Sequence, residues 1–116
     1  MKAFLLLAVG LGITLAATSA LAAGRPARCV IDSAGSARWS GPCLFVAERG
    51  GSFSVSPQRG SFGDGISVIS LYVVSPGSGE VRGLTADGIN SRWGPARRAT
   101  RDRACWIGED FSLCVY

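Results

Sequence analysis

Fourteen glycines are spread over residues 24–116, where they separate short runs of β-branched and aromatic residues and form no repeat. Glycine at this density is roughly twice its usual share. It weakens helix interiors, and no window carries an amphipathic helical period with caps. A chain of this kind is confined to short strands joined by tight turns.

The best strand is residues 66–74 (ISVISLYVV), bounded by Gly63-Asp64-Gly65 and Ser75-Pro76-Gly77. Ile69, Leu71 and Val73 share one face; Ile66, Val68, Tyr72 and Val74 share the other. Two apolar faces predict a central strand covered on both sides. Gly77-Ser78-Gly79 then turns into a partner strand at 80–84, and 43–47 and 52–56 are further strands. Residues 96–103 (ARRATRDR) permit one helical turn after Pro95, without an apolar face. The fold expected is all-β: roughly six to eight short antiparallel strands in a small sandwich or partly closed barrel, with two disulfide-stapled hairpins.

Residues 1–23 read as a secretory signal peptide. Met1-Lys2 gives a positive start, 3–15 form an apolar run, and Ala20-Leu21-Ala22 or Leu21-Ala22-Ala23 fits the cleavage pattern. The run is short of the ~20 residues that span a bilayer, and no basic cluster follows closely. Gly24 stands where a lipid-bearing cysteine would be needed. The expectation is one small β domain over 24–116, periplasmic or secreted, with no stable membrane insertion after cleavage.

Cys29, Cys43, Cys105 and Cys114 agree with export, because an even count in a short exported chain reads as disulfides. Four cysteines allow three pairings. Cys29–Cys43 and Cys105–Cys114 are favoured because each pair brackets a hairpin. In the first, Val30-Ile31-Asp32 faces Ala37-Arg38-Trp39 across Ser33-Ala34-Gly35. In the second, 105–107 and 111–114 flank Gly108-Glu109-Asp110. A zinc site would bring close C-x2-C pairs, and a redox dithiol C-x-x-C; neither occurs.

Residues 24–116 hold eleven arginines and eight acids, and neither lysine nor histidine. This removes imidazole acid–base chemistry, Schiff-base lysines and P-loops. Most aspartates stand in turn contexts such as Ala86-Asp87-Gly88. We expect no enzyme, no catalytic residues, no metal and no cofactor. The distinctive cluster is basic and aromatic: Arg92, Trp93, Arg97, Arg98, Arg101, Arg103 and Trp106, with Arg38 and Trp39 added as a candidate binding surface. Arginine suits bidentate contacts to carboxylate or phosphate, and tryptophan anchors interfaces. Interleaved acids and the exported compartment argue against nucleic acid. Two short echoes, Arg49-Gly50-Gly51-Ser52-Phe53 with Arg59-Gly60-Ser61-Phe62 and Arg38-Trp39 with Arg92-Trp93, are too few for a repeat protein.

The frame Cys29…Gly41-Pro42-Cys43-x-Phe45, then Asp102-Arg103-Ala104-Cys105-Trp106…Cys114, resembles small exported proteins of unknown function in Gram-negative bacteria. The resemblance implies an exported, disulfide-stapled domain. A second likeness is to periplasmic inhibitors of c-type lysozyme, small β-barrels with a Ser-Gly-x-x-Tyr loop and a lysine-bearing loop. Gly35-Ser36-Ala37-Arg38-Trp39 is similar to the first loop, with tryptophan for tyrosine. No lysine matches the second, so no inhibitory residue carries over. The function expected is a non-catalytic binding or inhibitor module that recognises a protein, a glycan or an anionic envelope component through arginine and tryptophan. The alternative is a structural or stress-accessory envelope protein with no ligand site.

Overall fold

A computed structural model describes residues 24–116, with Gly10 and Gly12; the signal-peptide reading of 1–23 otherwise lies outside the described residues. The strands are β1 (Arg25–Ser33), β2 (Trp39–Ala47), β3 (Phe53–Pro57), β4 (Ile66–Ser75), β5 (Ser78–Thr85), β6 (Asn90–Arg98), β7 (Cys105–Gly108) and β8 (Phe111–Val115). Each runs antiparallel to the next, and β8 pairs back onto β1 through Ile31–Leu113 and Cys29–Val115. The sheet closes as an eight-stranded barrel, which leaves no unpaired edge. Both disulfides form, Cys29–Cys43 and Cys105–Cys114. No helix among the described residues is long and apolar enough to cross a membrane.

Closure changes how several segments are used. β4 buries only one face: Ile69 and Leu71 point into the barrel, whereas Tyr72 and Val74 are 44% and 71% exposed. An apolar outer face is tolerated there because a closed barrel has only one interior. Residues 96–98 form no helical turn. They end β6, because Ala96, Arg97 and Arg98 pair with Gly108, Ile107 and Trp106, and Ala96 fills an inward position. Ala37 and Arg38 lie in the β1–β2 loop, and β2 begins at Trp39. The β4–β5 turn is Pro76-Gly77, with Gly77 at φ 74°; Ser78 and Gly79 already belong to β5. Proline before a residue with positive φ is the type II pattern. Likewise Gly108 belongs to β7, and Glu109-Asp110 makes the turn.

The interior of an eight-stranded barrel is just wide enough for side chains. Leu71, Ile69, Val81, Leu113, Val55 and the Cys29–Cys43 bridge fill it and are essentially solvent-free. Several inward positions must carry no side chain, because a ring lies over them. A Cβ on Gly108 would sit 2.2 Å from Phe111 Cε1, and one on Gly83 2.8 Å from Trp93 Nε1. Trp93 reaches Gly83 through a bulge: β6 has one extra residue between the Val81–Gly94 and Arg82–Arg92 pairs, and Gly94 takes φ 120°. Part of the glycine density is therefore space for aromatic rings.

The strand order gives the barrel two distinct ends. The loops after β1, β3, β5 and β7 gather at one; the chain near Gly24, the loops after β2, β4 and β6, and Tyr116 gather at the other.

Candidate functional site

Charge separates between these ends. Arg25, Arg49, Arg97, Arg98, Arg101 and Arg103 lie at the Gly24 end, with Glu48 and Asp102 as its acids. Asp32, Asp64, Asp87, Glu109 and Asp110 lie at the other, with Arg38 and Arg59.

The basic end opens into a cavity of about 180 Å³. Arg25, Arg98 and Arg103 line it, with Phe45, Phe53, Trp106 and Val115 as the apolar walls. Strand alternation puts these residues there. Arg25 is two residues before Ala27 and four before the inward Cys29, and pairs across the barrel rim with Phe45. Its guanidinium lies over the Phe45 ring, 4.6 Å from the centroid. Phe45 in turn packs on Phe53 at 5.0 Å. Arg98 is two residues past the inward Ala96 and pairs with buried Trp106, its guanidinium 5.7 Å from that ring. Arg98 Nε also donates to the Arg103 carbonyl at 2.7 Å, which ties β6 to the β6–β7 loop.

No acid lines this cavity. Asp102 is engaged elsewhere: it accepts from the Tyr116 hydroxyl at 2.5 Å and from the Ala104 amide at 3.1 Å. The ion pairs among the described residues are Arg38–Asp32 and Arg92–Glu80, and neither touches the cavity. The mouth thus collects three arginines, two of them with guanidiniums over aromatic rings, and none has a carboxylate partner among the described residues.

The Asp102 hydrogen bond to the phenol, chiefly, pushes the Tyr116 pKa up from its ordinary value. The neutral phenol is the form that donates, so whatever Tyr116 adds to stability is present at neutral pH. It is lost as pH rises through the raised pKa. An absorbance titration of phenolate should show a component above pH 10 that disappears in Tyr116→Phe. A lost component that titrates at the ordinary phenol value, with no upward shift, would contradict the contact.

The opposite end is plugged by Phe62, a buried residue of the β3–β4 loop that lies 4.7 Å edge-on to Trp39. Trp93 meets Phe111 edge-on at 5.6 Å. Two neighbouring hollows of about 250 and 300 Å³ share Ser33, Ser36, Asp64, Ile66 and Trp93. Ser36 Oγ donates to Asp64 Oδ2 at 2.8 Å across them. These hollows are larger than the basic cavity, but carboxylates rim them and their one cation, Arg92, is spent on Glu80.

The sequence-predicted surface is therefore divided. Arg98, Arg103 and Trp106 meet at the basic mouth. Arg92, Trp93, Arg38 and Trp39 lie toward the acidic end, where both tryptophans are half-buried and Arg38 is held by Asp32 through Nε and Nη2. Arg97 and Arg101 are exposed and line neither the basic cavity nor the two hollows at the opposite end. Arg25, Phe45 and Phe53 were missed by sequence reasoning. The available signal was period two: counting back from an inward Cys29 gives Ala27 and then Arg25 on the same face.

Compared with protein-family models, with curated proteins and with solved structures, the chain matches none. Among the described residues no cluster of histidine, cysteine, aspartate or glutamate has the grouping to hold a metal ion. What the site can do follows from its own chemistry. Guanidinium forks over apolar walls bind oxyanions, and they supply no nucleophile or base.

Proposed function

We propose that this chain is an exported, non-catalytic binding module, periplasmic or secreted, that recognises an anionic partner through the arginine-lined mouth of its barrel. The observation that carries this reading is the convergence of Arg25, Arg98 and Arg103 on one apolar-walled cavity with no acid in its lining. Guanidiniums kept together without counter-charge repel one another, and a bound anion relieves that repulsion. Export is supported by the leader-like composition of 1–23 and by two disulfides, a combination suited to an oxidising compartment.

Calorimetric titration of the purified protein with phenyl phosphate, benzoate and inorganic polyphosphate tests the reading. At least one probe should bind saturably, and Arg98→Ala with Arg103→Ala should weaken it at least tenfold, on the order of one lost charge-assisted contact. Arg38→Ala, at the far end, should leave it unchanged. Absence of saturable binding to all three would instead favour a structural envelope protein with no ligand site.

A further inference from the structure

The number of guanidiniums and the shape of the mouth point to a more specific ligand. We infer that the basic cavity takes one terminal phosphate monoester end-on, with the apolar or ring portion it esterifies lying against Phe45 and Trp106. This inference rests on the anion-binding reading and narrows it.

The charge argument comes first. Three arginines line the cavity and no acid offsets them. A carboxylate would neutralise one; a dianionic monoester neutralises two and presents three oxygens to the forks. Arg98 keeps both terminal nitrogens for such a group, because the bond to the Arg103 carbonyl uses only Nε. That bond and the contact with Trp106 also orient the Arg98 plane before any ligand arrives. Arg25 is placed by its ring contact with Phe45. Preorganised forks lose little freedom on binding.

Shape supplies the end-on geometry. At about 180 Å³ the cavity is smaller than a whole drug-sized site, so it admits an end group. Strands β1, β2, β3, β6, β7 and β8 all contribute to its wall. Further in, the Cys29–Cys43 bridge, Leu71 and Leu113 fill the barrel completely. A chain carrying phosphodiesters along its length has no exit through that floor, whereas a terminal group needs none.

The ligand's own titration provides the test. The charged groups around the mouth are Arg25, Arg49, Arg98, Arg101 and Arg103, with Glu48 and Asp102. The chain has no histidine and all four cysteines are bridged. Guanidiniums stay charged at every relevant pH. An α-amino group freed by cleavage near residue 24 would titrate above pH 7 and act with the opposite sign. A monoester loses its second proton near pH 6.

Phenyl phosphate affinity should therefore rise roughly tenfold between pH 5 and pH 7, following the dianion fraction. Benzoate affinity should stay flat over that range and be at least tenfold weaker at pH 7. Arg98→Lys, which keeps the charge and loses the fork, should lose most of the preference for phenyl phosphate, with the thermal midpoint of the exposed-site variant confirming that it folds. Two further probes separate the sources of such a group: glucose 1-phosphate in solution, and phosphatidylcholine vesicles carrying one-tenth phosphatidic acid. Tight binding by either supports the inference and names the source. Equal, pH-independent affinity for phenyl phosphate and benzoate overturns the monoester while leaving the anion-binding reading intact. No binding to any anion ends both.

Discussion

Replacing Cys29 and Cys43 together by alanine is expected to remove at least about 3 kcal/mol of stability. The bridge closes a loop of 14 residues, and in the chain-entropy model a loop near that size contributes about 3 kcal/mol. Both sulfurs are solvent-free inside the barrel, so their loss also leaves a cavity against Leu113 and Ile31, adding on the order of 1 kcal/mol. Small domains have only about 5–15 kcal/mol in total. At about 4–8 °C per kcal/mol, the thermal midpoint should fall by more than 10 °C. A fall of less than about 4 °C would show that the interior bridge contributes little. The second bridge provides the contrast. Cys105 and Cys114 are directly opposed on β7 and β8, on the outer face beneath Tyr116, and stand apart from the core cluster. Its removal should cost the loop term with a smaller cavity term. Reductant added to the folded protein should open it first, because reduction requires thiolate access and the interior bridge has none. Mass mapping of alkylated cysteines after brief reduction would read the order directly.

Gly108→Ala is expected to be the most damaging single substitution that adds only a methyl group. The new Cβ would stand 2.2 Å from Phe111 Cε1 and 2.3 Å from Cζ, inside a buried rigid ring. Overpacking of this kind costs about 1–3 kcal/mol or more when the backbone must shift. Phe111 cannot swing away freely, because Trp93 lies edge-on to it. The remaining glycines under side chains form a graded series. A Cβ at Gly83 would approach Trp93 to 2.8 Å, one at Gly79 the Tyr72 carbonyl to 3.1 Å, and one at Gly41 the Trp39 ring to 3.3 Å. Chemical denaturation of the four alanine variants should follow that order, with Gly108 worst and Gly41 mildest. A Gly108→Ala protein as stable as the parent would mean that Phe111 does not occupy this position.

The hairpins were legible because their signals are local. Cys105 and Cys114 bracket one tight turn, and the strand 66–75 stands between two turn clusters. Turn edges were displaced by a residue or two, as at Pro76-Gly77, because ladder hydrogen bonds carry strands into residues that look like turn formers. The helical turn expected after Pro95 failed for a different reason. Its residues have no apolar face for a helix to bury, and pairing with β7 satisfies their backbone. The two-faced apolar pattern of β4 was read correctly as residues and wrongly as burial, since no second layer covers the outside of the barrel.

The candidate site was only half legible for a geometric reason. Arg92 and Arg98 are neighbours in the sequence, yet six residues along a strand span about 20 Å, so β6 carries them to opposite ends. Arg25 is remote in the sequence and arrives at the same rim because β1 begins where β6 stops.

Composition and spacing alone pointed to an all-β chain, favoured the cysteine pairing that forms, and left arginine as the one cationic side chain beyond Lys2. Those properties depend on residue types and short separations. Tertiary structure alone decided that the sheet closes, that glycines lie beneath rings, and which three arginines share a mouth without an acid. Closure brings β8 onto β1 and sorts the loops into two ends of opposite charge, and that sorting depends on the parity of each strand around the barrel, which no local stretch of sequence contains.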